Sequence, residues 1–165
     1  MGLREGMKVA DLGTGSGHYA VAAGHVIGTS GRVYAVDILE DLLHHVKDAA
    51  RRQHLRNVET IWGNIEKVGG TKLRPQAVDG IILSNTLFQI ERRDGLIAEI
   101  KRILKPGGKL LVVDWAGSYG HMGPDPKHVV SERDAEELFI GAGFHKQKDF
   151  RAGAHHYAIV FVQPA

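Results

Sequence analysis

The sequence predicts an α/β domain, a three-layer sandwich in which helices cover both faces of a seven-stranded, mostly parallel sheet. Three observations carry that reading. Apolar runs alternate with helical periodicities from one end of the chain to the other. The first run passes through Gly13, Gly15 and Gly17 straight into a helical pattern, a turn that needs glycine where the backbone takes positive φ or a ligand approaches closely. The last two runs are joined only by Arg151-Ala152-Gly153-Ala154. A parallel crossover needs about a dozen residues, so the final strand is expected to run antiparallel.

In chain order, strands are expected at Lys8–Leu12, Val33–Val36, Val58–Ile61, Val78–Leu83, Lys109–Asp114, Phe144–Phe150 and His155–Val162. Gly17–Ile27 and Leu39–Gln53 read as the first two helices. Leu96, Ile97, Ile100, Ile103 and Leu104 fall on one helical stripe that Pro106-Gly107-Gly108 ends. Ala135, Leu138, Phe139 and Ala142 form another, ended by Gly143, with Ser131 and Asp134 as its start signal. The stretch 116–127, rich in Gly and Pro, is the longest expected loop, and such loops often serve as lids or substrate contacts.

The bulk composition narrows the function. A chain of 165 residues, 43% hydrophobic, buries a sizeable core and suits a single domain over 1–165. It contains no cysteine, which excludes disulfides, thiolate metal sites and a cysteine nucleophile and leads us to expect a cytoplasmic location. The start Met1-Gly2-Leu3-Arg4-Glu5-Gly6 has no apolar signal region, and Gly6 stands where a myristoylation motif needs Ser or Thr. No run reaches membrane-spanning length, so no membrane partner is expected. A net charge of +2, with both signs scattered, does not by itself argue for nucleic acid, and it leaves an RNA acceptor open.

The glycine turn is the most informative stretch. Glycine would be required at position 18 for the dinucleotide fingerprint G-x-G-x-x-G, and His18 stands there. Twenty residues beyond Gly17, the run Arg32-Val33-Tyr34-Ala35-Val36-Asp37 ends in an acid. An acid at the tip of the strand beside a glycine loop accepts hydrogen bonds from two ribose hydroxyls, which suits an adenosine-containing ligand.

Asp11-x-Gly13-x-Gly15-x-Gly17, Val33-Tyr34-Ala35-Val36-Asp37, Gly63-Asn64-Ile65-Glu66, Val78-Asp79-Gly80-Ile81-Ile82-Leu83 and Leu104-Lys105-Pro106-Gly107-Gly108-Lys109-Leu110 follow one another along nearly the whole chain. In kind and order they resemble the motif set of class I S-adenosylmethionine-dependent methyltransferases. The resemblance implies a Rossmann-like sheet of order 3-2-1-4-5-7-6, S-adenosyl-L-methionine as methyl donor and S-adenosyl-L-homocysteine as product. It further implies that Gly13, Thr14, Gly15 and Gly17 adjoin the methionine part and that Asp11 lies near its ammonium group. Asp37 would hold the ribose, Ile38 and Ile65 would flank the adenine, and Asn64 would face the exocyclic amine, with Asn85 in the same cofactor set. The family commonly has Asp where Asn64 stands, though an Asn carbonyl still accepts from an amine. Turn capping is the alternative role for Asp11, Asp37 and Asn64. The first strand begins at residue 8, so the helices that usually precede it and close over the cofactor are largely absent from this sequence. Either the cofactor is left unusually open, or a homo-oligomeric partner or the 116–127 loop covers the site.

Ligands of open α/β sheets sit beyond the carboxyl ends of the parallel strands. That edge collects Asp11–Gly17, Asp37–Ile38, Asn64–Ile65, Ser84–Phe88 and Asp114–Gly117, with Arg151–Ala154, His155 and His156 joining them from the reversed last strand. Methyl transfer from a sulfonium is an in-line displacement needing alignment and, for a protonated acceptor, a base. The candidate bases are His155, His156 and Asp114, with His18, Tyr19 and Asn85 as orienting groups. Adjacent strand residues face opposite ways, so only one of the two histidines is expected to enter the pocket. His121 and His128 are weaker loop candidates, and His44 and His45 read as exposed helix positions. No histidines and carboxylates stand at ligand spacing, so no metal is expected. Trp115, Phe88 and Tyr119 suit either an acceptor wall or the core.

Asn85-Thr86-Leu87-Phe88 lacks the prolines that amino-methylating DNA enzymes of this fold carry there, which disfavours that mechanism. The reading that results is a methyltransferase acting on a small molecule, with RNA or protein as other acceptors. The alternatives are a noncatalytic cofactor-binding module or subunit of a larger methyltransferase, and a nucleotide-dependent oxidoreductase.

Overall fold

The computed structural model describes residues 1–165. Its seven strands are β1 (Lys8–Leu12), β2 (Arg32–Asp37), β3 (Val58–Trp62), β4 (Val78–Ser84), β5 (Leu104–Trp115), β6 (His145–Ala152) and β7 (His156–Val162). They form one sheet in the order β3-β2-β1-β4-β5-β7-β6, and β7 alone is antiparallel to its neighbours. Four helices complete the three layers: α1 (His18–Ile27), α2 (Glu40–Arg52), α3 (Arg93–Ile103) and α4 (Glu132–Gly141). None is long and apolar enough to cross a membrane.

The period-two alternation of the central strands feeds two cores. Val9, Val33, Ala35 and Ile82 pack against Ala20, Ala23 and Ile27 of α1 and Val46 of α2 on one face. Ala10, Leu12, Ile81, Leu83, Leu110 and Val112 meet Leu96 and Ile100 of α3 and Phe139 of α4 on the other. Phe139 anchors the second core, with ring centroids 5.9 Å from Phe144 and 5.2 Å from Phe161. The same alternation sends Asp11 and Asp37 to the α1 side of the sheet, at the carboxyl ends of neighbouring parallel strands.

Most element boundaries shift by a residue or two from the sequence expectation, and two of the differences have a clear local reason. Leu104 is not the last residue of the α3 stripe but the first of β5, paired with Val78. Lys105 precedes Pro106, and pre-proline sterics disfavour helical backbone, so the chain is already extended at Leu104. Residues 105–108 then bulge out of the ladder, with Gly107 at φ 72°, before Lys109 pairs with Gly80. His155 belongs to the turn before β7 and not to the strand, because Ala152 already pairs with His156.

A buried ionic group ties the β3–β4 connection to α3. Glu99, fully buried, accepts from Gly69 N–H, Thr71 N–H and the Arg102 guanidinium at 2.7–3.1 Å. At the far edge, β6 carries Lys146, Lys148 and Asp149 with a bulge at Lys146–Lys148, features that discourage pairing with another strand.

Candidate active site

The carboxyl ends of β1, β2, β3 and β4 enclose a cleft of about 600 Å³. Its first wall is the glycine turn. Gly13 N–H and Thr14 N–H both donate to the Val36 carbonyl, at 2.9 and 3.0 Å, and Gly15 N–H donates to Asp37 Oδ2 at 3.0 Å. The turn is thus fastened to β2 by three consecutive amides, which leaves its inner surface facing the cleft.

The three glycines do different work. A Cβ on Gly13 would lie 2.7 Å from Thr86 Oγ1, and one on Gly17 would lie 2.6 Å from Val46 Cγ2, so these two are small because the protein packs onto them. A Cβ on Gly15 would meet nothing within 4 Å, and at φ 54° its backbone opens onto the cleft. Gly15 is the position where a ligand can approach the main chain.

Two carboxylates flank it. Asp37 Oδ1 accepts from Leu39 N–H at 3.0 Å while Oδ2 holds Gly15, which leaves lone pairs on both oxygens. Asp11 is 2% exposed and accepts from Thr14 Oγ1 at 2.7 Å. Burial pushes its pKa up to about 6, against the pull of the Thr14 hydroxyl and Ala20 N–H, and the charge of Asp37 adds to the rise. A cationic group in the cleft would reverse that shift.

The second wall is mixed. Ile38, 58% exposed, and the buried Ile65 line the same cleft from β2 and the β3 connection. Asn64 Oδ1 accepts from Glu66 N–H at 2.9 Å, so the turn-capping role weighed from the sequence is present, and one lone pair of that oxygen stays free. Asn85 lies in the left-handed region at φ 52°, exposed at the end of β4, with its N–H on Val113 and its carbonyl accepting from Gln89 Nε2 at 3.1 Å.

The structure therefore gathers Asp11, Gly13, Thr14, Gly15, Asp37, Ile38, Asn64, Ile65 and Asn85 around one cleft, with His18 and Tyr19 beside them. Gly17 is set apart by its packing on Val46. Leu42, Gln89 and Ile90 line the cleft without having been singled out. Leu42 follows Leu39 at helical spacing and was legible as an inward position, whereas Gln89 and Ile90 sit in or just after a single 3-10 turn, Leu87–Gln89, that no periodicity marks.

His155, His156 and Asp114 do not reach this cleft. The His155 ring stacks on Tyr119 at 4.2 Å and the His156 ring on Trp115 at 4.3 Å, and Nδ1 of His155 and Nε2 of His156 are buried without hydrogen-bond partners. Burial, then the neighbouring His155, lowers the pKa of His156. The loop that sequence reading offered as a cofactor cover instead folds back on this pair, closed by reciprocal amide bonds between Tyr119 and Met122. Trp115 and Tyr119 belong to that stack, and Phe88 packs on the core. Asp114 is 1% exposed beneath the 3-10 turn. No three His, Asp or Glu side chains are grouped to hold a metal ion.

A family described as a methyltransferase domain matches residues 3–152. The ubiquinone/menaquinone biosynthesis C-methyltransferase UbiE of Shewanella piezotolerans is 30% identical over 133 residues, which are 80% of this chain and 49% of that protein. The chain thus spans about half the length of such relatives. Among solved structures, a SAM-dependent methyltransferase from Aquifex aeolicus superposes with a TM-score of 0.88 at 28% identity, covering 98% of this chain and 84% of the other. The [4+2]-cyclase SpnF superposes at 0.81 with 16% identity, covering 98% and 76%, and shares the fold alone. The match over 3–152 sets the chain among methyltransferases, not among the oxidoreductases weighed above. By its motifs, its strand order and these relatives, the chain belongs to the class I S-adenosylmethionine-dependent methyltransferase family.

Proposed function

We propose that this chain transfers the methyl group of S-adenosylmethionine to a small molecule admitted where Ser84–Thr86 and Gln89–Ile90 bound the cleft. The observation that supports it most is the placement of Asp11 and Asp37 on either side of Gly15 in a single cleft. S-adenosylmethionine supplies a methyl group on a cationic sulfur, ready for in-line displacement. Asp37 offers its free lone pairs to a ribose, and Ile38 and Ile65 offer apolar surface to a planar base. Asp11, kept partly protonated by burial, becomes fully ionised beside an ammonium group. Gly15 leaves room for the chain between them.

The remaining residues align the acceptor. His18 is the only histidine in the cleft wall, and it is exposed. This favours an acceptor whose attacking atom is already electron-rich near neutral pH, because little proton removal is then asked of the protein. The UbiE relatives bear the name of C-methyltransferases of quinone biosynthesis, which makes hydroquinone rings the first acceptor class to try.

The test has two stages. Calorimetry should detect S-adenosylmethionine and S-adenosylhomocysteine binding and no NAD binding. Radiolabelled methyl transfer is then followed across hydroquinones, amine metabolites, RNA and protein. Transfer confined to RNA or protein, or cofactor binding with no transfer to any of the four, would overturn the small-molecule reading.

A further inference from the structure

Asp114 is a buried carboxylate at the ligand edge of the sheet that the cleft does not use. It ends the inward-facing row Leu110, Val112, Asp114 of β5, on the face covered by α3 and α4. Oδ1 accepts from Trp115 N–H at 2.8 Å, whereas Oδ2 is buried with no hydrogen-bond partner. The backbone N–H groups of Thr86, Leu87 and Phe88 lie close enough to favour the charged carboxyl without closing a bond on Oδ2.

Those amides open the 3-10 turn that links the two residues at the mouth of the cleft, Asn85 and Gln89. A non-glycine residue at φ 52° holds a sparsely populated conformation, and it persists only where its surroundings impose it. Three restraints are visible: Asn85 N–H on the Val113 carbonyl, the Asn85 carbonyl accepting from Gln89 Nε2 at 3.1 Å, and Thr86 Oγ1 on the Ser84 carbonyl at 2.9 Å.

We propose that Asp114 is a positioning residue whose carboxylate gathers the Thr86–Phe88 amides from under the turn and so sets Asn85 and Gln89 at the cleft. It touches neither cofactor nor acceptor. The inference rests on the proposed function only for what the turn faces, and its geometry stands without an acceptor.

The hold depends on charge. Burial pushes the Asp114 pKa up to about 6, with the four amides of Trp115, Phe88, Leu87 and Thr86 opposing the rise. The carboxylate therefore grips the turn above about pH 6 and releases it below. Because the folded pKa lies above the ordinary value, ionisation costs folding stability as pH rises through 6. The titratable groups around it are Tyr157, its register partner on β7, and beyond Tyr157 the charges of Arg93, Glu132 and Asp134. His156 faces the adjacent Trp115.

The experiment follows isotope-labelled full-length chain by NMR from pH 4.5 to 8 while S-adenosylhomocysteine affinity is measured by calorimetry. The amide resonances of Thr86, Leu87 and Phe88 should move with the same midpoint as the Asp114 carboxyl carbon. In Asp114→Asn that shared titration should vanish and affinity at pH 7.5 should fall about tenfold, the scale of one charge-assisted hydrogen bond, with the thermal midpoint unchanged or higher. A purely structural carboxylate would lower the midpoint instead. Amides that ignore the Asp114 carboxyl, or an Asp114→Asn protein with unaltered affinity, would overturn the proposal. If that variant does not fold, the wild-type titration decides alone. Absence of methyl transfer in the acceptor panel would count against the proposed function while leaving these resonances as they are.

Discussion

Gly15 N–H donates to Asp37 Oδ2 at 3.0 Å, so the acid at the tip of β2 holds the one glycine of the turn whose missing Cβ leaves open space. One side chain thus shapes the approach to the main chain and keeps lone pairs for the ligand. Asp37→Ala should remove both. The loss of two charge-assisted hydrogen bonds, about 3 kcal/mol, corresponds to roughly 150-fold weaker S-adenosylhomocysteine binding by calorimetry. Undiminished affinity would show that Asp37 serves only the turn.

The glycines should separate stability from binding. Gly13→Ala and Gly17→Ala drive a methyl into Thr86 and Val46, and melting temperature should fall sharply in both. Gly15→Ala carries only the left-handed backbone penalty, about 1–2 kcal/mol, with its methyl in open space at a residue that lines the cleft. It should lose ligand affinity out of proportion to its change in melting temperature. Equal thermal losses for all three would undo that distinction.

If Asp11 faces the ligand's ammonium group as proposed, binding should depend on pH. With its pKa raised by burial to about 6, a cationic ligand beside it binds better as pH rises from 5 to 7 and the carboxyl ionises. Calorimetric titration of S-adenosylhomocysteine across that window should show the gain, and Asp11→Asn should abolish most of it. A flat profile in the wild type would place the ligand's ammonium elsewhere.

Glu99 governs acid stability. Burial alone would raise its pKa, but Arg102, Thr71 and the amides of Gly69 and Thr71 hold it at about 2. Its folded value lies below the unfolded one, so its contribution is full above about pH 4.5 and is lost as pH falls towards 2. Glu99→Ala also strands Arg102 and should cost about 3 kcal/mol in urea unfolding at pH 7. The loss should shrink at pH 3, and equal losses at both values would count against this ion pair.

His155→Ala and His156→Ala should leave S-adenosylhomocysteine affinity within about twofold, since neither lines the cleft, while loosening the stack on Tyr119 and Trp115. Hydrogen exchange at residues 116–123 should quicken in each variant. A large affinity loss with no change in exchange would restore them to the site.

By itself the sequence determined the alternation of strands and helices and the reversed last strand, because both rest on short-range rules, whereas the sheet order and the expected cleft residues came from the resemblance of its motifs to a family. The four-residue link at 151–154 permits only a hairpin, and period two puts Asp11 and Asp37 on one face. Only tertiary structure decided where the remaining chemistry-bearing side chains went. His155, His156 and Asp114 share the ligand edge with the cleft, but an edge is a line of backbone ends and does not say what lies above each. There the 116–123 loop stacks on the histidines and the 3-10 turn roofs Asp114, contacts between segments tens of residues apart that no periodicity encodes. Packing likewise sorted three equivalent glycines into two that Thr86 and Val46 require to be small and one, Gly15, whose Cβ would meet only open space.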